Sequence, residues 1–143
     1  MKWDVDRDDR GSTTLELVVW APGLLLMIGL LIVAGRVNSA NAAVEQAAVD
    51  AARTASSTRS AGGARDMAKA SAQKSLAGQG LQCTTTTVLL DTSGFGTRPG
   101  QSAAITATVT CPVRLSDLSV PLPGTRTVSH TATSSIDTFR ERS

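Results

Sequence analysis

From Leu17 to Gly35 the chain runs for nineteen residues without a charge, as LVVWAPGLLLMIGLLIVAG. At about 1.5 Å of rise per residue a helix of that length covers roughly 28 Å, close to the hydrocarbon core of a bilayer. The expectation is a membrane-inserted protein. The chain beyond this run has little with which to build a large soluble core. Of 143 residues, just over a hundred remain after the run and its leader, and their only aromatics are Phe95 and Phe139. Alanine is the commonest of the remaining apolar residues, and its burial contributes little beside Leu, Ile or Phe.

The net charge is +2, and no basic run is interleaved with aromatics, so no nucleic-acid partner is expected. Both cysteines, Cys83 and Cys111, lie beyond the apolar run. An even pair in a small exported domain reads as one disulfide, which a reducing cytosol would not maintain. Ahead of the run, MKWDVDRDDRG mixes three cations with four anions. A secretory signal normally begins with a positive region followed by a short apolar one. The leader therefore reads either as the cytoplasmic tail of a single-pass protein or as a segment to be removed.

Glu16 is the one ionisable residue whose position demands an explanation. An acid at the centre of a membrane helix costs about 2.5–3.5 kcal/mol, and less near its end, where Glu16 sits. Cutting between Gly11 and Ser12 would create an α-amine and make Glu16 the fifth residue of the mature chain. The amine of a neighbouring subunit would then neutralise Glu16 when such helices bundle.

The stretch Gly11-Ser-Thr-Thr-Leu-Glu16 resembles the processing site of type IV prepilins, cut after glycine with glutamate at the fifth mature position. The continuation Glu16-Leu-Val-Val-Trp-Ala-Pro22, the leucine-rich run and the closing Gly35-Arg36 resemble the TadE-like family, pseudopilins or minor pilins of tight-adherence (Flp-type) pilus systems. The likeness covers about residues 11–55. Many members carry an acid just before the Gly-Arg pair, where this chain has Ala34. The resemblance implies a precursor processed by a prepilin-type peptidase and assembled with other pilin-like subunits by the pilus machinery. Gly11 and Ser12 would flank the cut, and Glu16 and Pro22 would serve assembly.

Pro22 also has a direct physical reading. A proline inside a helix removes one backbone hydrogen bond, and Gly23 loosens the rod further. In lipid, neighbouring helices can satisfy the freed carbonyl. Such a point either lets the subunit leave the membrane for a fibre or is a tolerated kink. Lys2, Arg7 and Arg10 precede the run whereas Arg36 alone lies close behind it, which favours a cytoplasmic N-terminus.

Beyond Arg36, the residues Val37, Ala40, Val44, Ala47, Ala48, Ala51 and Ala55 share an arc of about 100°. Glu45, Gln46, Asp50 and Arg53 point the other way. Alanine is the best helix former, so one helix is expected through the apolar run and on to about Ser57. Ala40-Asn41-Ala42 offers a rival, the pattern a signal peptidase favours, which would release a secreted protein beginning at Ala43. Thr58 to Gly63 reads as a linker. Ala64 to Ala77 reads as a short helix ended by Gly78 and Gly80, with no clear packing face.

The rest reads as sheet. Ala103, Ile105, Ala107, Val109, Cys111, Val113 and Leu115 alternate with a mostly threonine set, which makes a half-buried strand. Cys83 to Leu90 reads as its partner across the turn residues Gly94, Gly96 and Pro99-Gly100. Antiparallel pairing about the middle of that turn sets Cys83 opposite Cys111 and Leu89 opposite Ile105. Pro112, Pro121 and Pro123-Gly124 punctuate a return loop, and Val128, His130, Ala132, Ser134 and Ile136 alternate in a third strand.

The fold class expected is α+β, a long N-terminal helix packed on a small three-stranded antiparallel sheet with one disulfide. Its divisions are a cytoplasmic leader (1–11), a transmembrane helix (12–36), a helical stem with a short second helix (37–82) and a sheet domain (83–143). No cofactor, metal site or catalytic group is expected: His130 is the sole histidine, and no nucleophile motif or ligand cluster accompanies it. The function expected is a non-enzymatic pseudopilin or minor pilin, single-pass in the cell membrane with its C-terminal domain outside. The alternatives are an anchored extracellular binding or envelope protein outside any filament, and the protein secreted from Ala43.

Overall fold

The computed structural model describes residues 10–138, with side chains from Glu16 to Thr138. The first helix, α1, spans Arg10–Ser56, and its 47 residues run unbroken past Pro22. At about 1.5 Å per residue the rod is roughly 70 Å long. It stops where hydroxyls capture its last carbonyls: Ser57 Oγ donates to Thr54 O at 2.7 Å and Thr58 Oγ1 to Ala55 O at 2.8 Å.

The second helix, α2 (Ala61–Gly78), starts earlier than the linker glycines suggest. The Ser60 hydroxyl accepts the Gly63 N–H at 3.3 Å, an N-cap that outweighs the poor propensity of Gly62 and Gly63. At the far end Gly80 has a φ of 69°, its N–H donates to Ala77 O, and Leu81 N–H donates to Leu76 O. This is a Schellman motif, and glycine occupies its left-handed position. The buried face of α2 is Ala64, Ala68, Ala72 and Leu76, three alanines and a leucine at one residue per turn, set against α1.

Three strands complete the chain, β1 (Thr87–Asp91), β2 (Ala103–Arg114) and β3 (Thr125–Ile136), antiparallel in that order. Ile105, Ala107, Val109, Cys111 and Val113 of β2 are fully buried against α1. The opposite face is a hydroxyl ladder: Thr106–Thr133 at 3.1 Å, Thr108–Thr131 at 2.8 Å and Thr110–Ser129 at 3.0 Å. The stem half of α1 lies between sheet and α2, so its buried arc widens. Ala43 and Ala52 join the expected set, giving about 180° rather than 100° at 100° per residue. Asp50, read as solvent-facing, instead accepts Ser75 Oγ of α2 at 2.8 Å, while Ser56 and Ser134 Oγ meet at 2.9 Å on the sheet side.

The disulfide forms as expected, Cys83 to Cys111 with Cα atoms 5.2 Å apart. The register that was to produce it does not. Thr87 pairs with Thr110 and Leu89 with Thr108, not Ile105. The odd-numbered shift turns β1 over, so Val88 and Leu90 face the core and Leu89 is 65% exposed on the hydroxyl face. Residues 84–86 are irregular, which lets Cys83 reach Cys111 although β1 begins only at Thr87. Pro112 is likewise not in the return loop but inside β2, opposite Thr127. Its carbonyl accepts Thr84 N–H at 2.9 Å, so its nitrogen faces the edge where the β1 ladder has already ended and no donor is needed.

The β1–β2 connection is a 3-10 turn over Ser93–Gly96. Asp91 Oδ1 accepts the Ser93 N–H at 2.9 Å, and this bond lowers the Asp91 pKa below its usual 3.8. Gly94 is buried there, and a Cβ on it would collide with the Ala104 carbonyl oxygen and press on Ile136 Cδ1 at 3.2 Å. Backbone cannot swing aside as a side chain does. Gly94→Ala is expected to destabilise the sheet domain by about 1–3 kcal/mol, read as a fall in the cooperative melting temperature. Gly96→Ala, where nothing lies within 4 Å, is the control that separates crowding from lost glycine flexibility.

Candidate assembly helix

The candidate site is a face of α1 rather than a pocket. Between Leu17 and Ile32 the large apolar side chains stand uncovered, among them Leu25 at 69%, Leu26 at 76% and Leu30 at 74% exposure. Leaving one such side chain in water rather than burying it costs about 1.5–3 kcal/mol. A dozen in succession demand either lipid or neighbouring subunits. The helix is long and apolar enough to cross a membrane.

Glu16 is exposed and immediately precedes the uncharged run. Gly11 and Ser12 fall within the span of α1, but their side chains, and residues 1–9 of the leader, lie outside the described set. Pro22 sits inside the helix, where its missing N–H leaves the Val18 carbonyl without its usual partner. At Gly23 and Gly29, about 120° apart around the helix, a Cβ would meet nothing within 4 Å. The junction to the stem is closed by Ser39, whose Oγ donates to Gly35 O at 3.0 Å, and Arg36 is exposed beside it. From Ala40 onward α1 is buried in its own domain. One helix is thus divided into an uncovered half and a covered half.

The cysteines lie away from Glu16 and Pro22, in the sheet domain, and bring no chemistry to the helix face. His130 stands half-buried on the inward face of β3 opposite Val109. Among the described residues no three His, Cys, Asp or Glu side chains gather as metal ligands would. Sequence reasoning missed one neighbour of the anchor. The loop after β2 brings Val120 and Pro121 alongside Leu26 and Leu30. Its prolines signal a turn, but no periodicity links a loop to a helix ninety residues away.

No curated protein and no solved structure matches the chain. Its N-terminal segment is similar to a known family: residues 11–53, the uncovered half of α1 and most of its stem, match the family model described as TadE-like protein.

Proposed function

We propose that the chain is a pseudopilin or minor pilin of a tight-adherence (Flp-type) system. It is inserted as a precursor with its N-terminus in the cytoplasm and its sheet domain outside. A prepilin-type peptidase cuts between Gly11 and Ser12, and the mature subunit assembles laterally through α1. Residues 12–36 serve first as anchor and then as packing element, residues 37–82 as stem, and residues 83–143 as the surface the subunit presents.

The observation that carries this reading is the division of one unbroken helix. Its distal half is locked into a compact domain through Val44 and a row of alanines, while the proximal half is bare. An anchor alone needs only length. A rod rigidly continuous with its head also fixes the orientation of that head when rods stack, which a filament requires. The continuity also bears on release at Ala43: cutting after Ala42 would strip Val37 and the buried Ala40 from the core.

N-terminal sequencing with intact mass of the mature chain tests the processing step. The expected start is Ser12. An intact Met1 would sink the processing claim and favour a permanently anchored envelope protein, and a start at Ala43 would make the protein secreted.

A further inference from the structure

The connection from β2 to β3 descends beside the bare half of α1. Val120 and Pro121 share a groove with Leu25, Leu26, Gly29, Leu30 and Val33. Those helix residues precede Arg36, so at about 1.5 Å per residue the loop lies roughly 5–16 Å to the anchor side of that arginine. Any membrane that covers Leu25 to Leu30 meets the loop at the same depth.

The loop has the chemistry for that position. Ser119 to Gly124 reads SVPLPG, without a charge, and Leu122 is 62% exposed. A backbone N–H left unpaired in hydrocarbon costs several kcal/mol, which ordinarily keeps loops out of lipid. Here the backbone donors from Ser119 to Pro123 are accounted for, leaving only the Gly124 N–H at the loop's base. Ser119 N–H donates to Ser116 O, Val120 N–H to Leu115 O, and Leu122 N–H to Val120 O at 2.8 Å. Pro121 and Pro123 have none to satisfy. The base is pinned by Leu115 N–H on Gly124 O at 3.0 Å. Exposed charges bracket the loop: Arg114 at the end of β2, Asp117 in the turn that follows, Arg126 at the start of β3, and Arg36 on α1, which lines a pocket with Asp117. An apolar tip below a collar of three guanidiniums and one carboxylate matches a bilayer's layers, acyl chains below anionic headgroups.

We propose that the Ser119–Gly124 loop inserts into the acyl region of the leaflet on the domain's side, giving the membrane-resident subunit a second lipid contact beside its helix. The occupant of this surface is lipid, because the loop's apolar face is continuous with anchor residues that lipid itself must cover. The inference rests on the reading of Leu17–Gly35 as a bilayer span. It adds that the head is held at a fixed height and tilt before assembly, and that extraction withdraws the loop together with the helix.

The test uses the full chain in phosphatidylcholine–phosphatidylglycerol vesicles, with an environment-sensitive fluorophore on Leu122→Cys. Both native cysteines are tied in the disulfide, so labelling without reductant is selective. Leu31→Cys reports the anchor and Leu89→Cys the outer face of the sheet. The expected result at position 122 is a blue-shifted emission, quenching by spin-labelled acyl chains and loss of the iodide quenching seen at position 89. Iodide quenching at 122 with lipid quenching at 31 overturns the inference while the span stands. Iodide quenching at 31 overturns both. Shielding of 122 from iodide without lipid quenching means a second copy covers the loop, which also overturns it.

Discussion

Replacing Cys83 and Cys111 together by alanine is expected to cost about 3.5 kcal/mol, in the chain-entropy account of a cross-link that closes a loop of this size. The two residues are separated by 28 positions. In most domains that cost would be one contribution among many. Here the fully buried set is dominated by alanine, with Ile105, Val44, Val109 and Val113 the largest fully buried hydrocarbon side chains. Native stabilities are only about 5–15 kcal/mol, and a thin core belongs near the lower end. The bond also does local work. The β1 ladder begins at Thr87, so residues 84–86 are held to β2 chiefly by the disulfide and by Thr84 N–H on Pro112 O. For a domain of about a hundred residues, each kcal/mol shifts the melting temperature by about 4–8 °C. The double variant should therefore melt on the order of 15–25 °C lower. Because α1 stays helical in detergent, amide exchange in β1 and β2 is a cleaner readout than total helicity. A melting temperature within a few degrees of the parent would show that the domain does not depend on its cross-link. The same dependence requires an oxidising compartment for the domain, which fits the proposed orientation.

Legibility in the sequence tracked the size of the side chains and the length of the pattern. The alternation of β2 was readable because one face is buried and the other is threonine, over a full twelve residues. The stem of α1 was readable as a helix because its alanines recur at helical spacing, but not as one with two partners. Alanine is small and only weakly apolar, so a second face made of Ala43 and Ala52 leaves little trace in periodicity. For the same reason Ala64, Ala68 and Ala72 of α2 did not announce a packing face. The error at β1 has a different origin. Symmetric pairing about the middle of the connecting segment predicts the wrong register, because that segment folds asymmetrically, with a 3-10 turn seated on Ala104 and Ile136 near its start. Five residues of strand hold too little pattern to correct the register. Of the candidate assembly helix, the uncharged run from Leu17 to Gly35 is legible because its pattern is local. The loop beside Leu26 is not, since nothing local encodes contact across the chain.

Glu16→Ala is expected to leave membrane insertion intact and to reduce incorporation into pili by about 10²–10³-fold. Insertion should tolerate the change because a carboxylate at the helix end is itself unfavourable to lipid, and removing it makes the segment more apolar. Assembly is different. In a bundle of apolar helices Glu16 is proposed to face the Ser12 amine of a neighbour, both withdrawn from water. Removing one member of a buried pair leaves the other uncompensated, at about 3–5 kcal/mol, and each 1.4 kcal/mol is about tenfold in an equilibrium constant. Glu16→Gln keeps the shape and loses the charge, so it separates a steric role from an electrostatic one. The measurement is the ratio of subunit in sheared filaments to subunit in the membrane. Unchanged incorporation of both variants would count against the pairing. A cycle with Gly11→Val, chosen to block the cut, sharpens the point. Without cleavage Ser12 bears no free amine, so Glu16→Ala on that background should cost nothing more, and the two effects should be strongly non-additive. Simple additivity would mean that Glu16 acts on assembly through some partner other than the amine that processing releases.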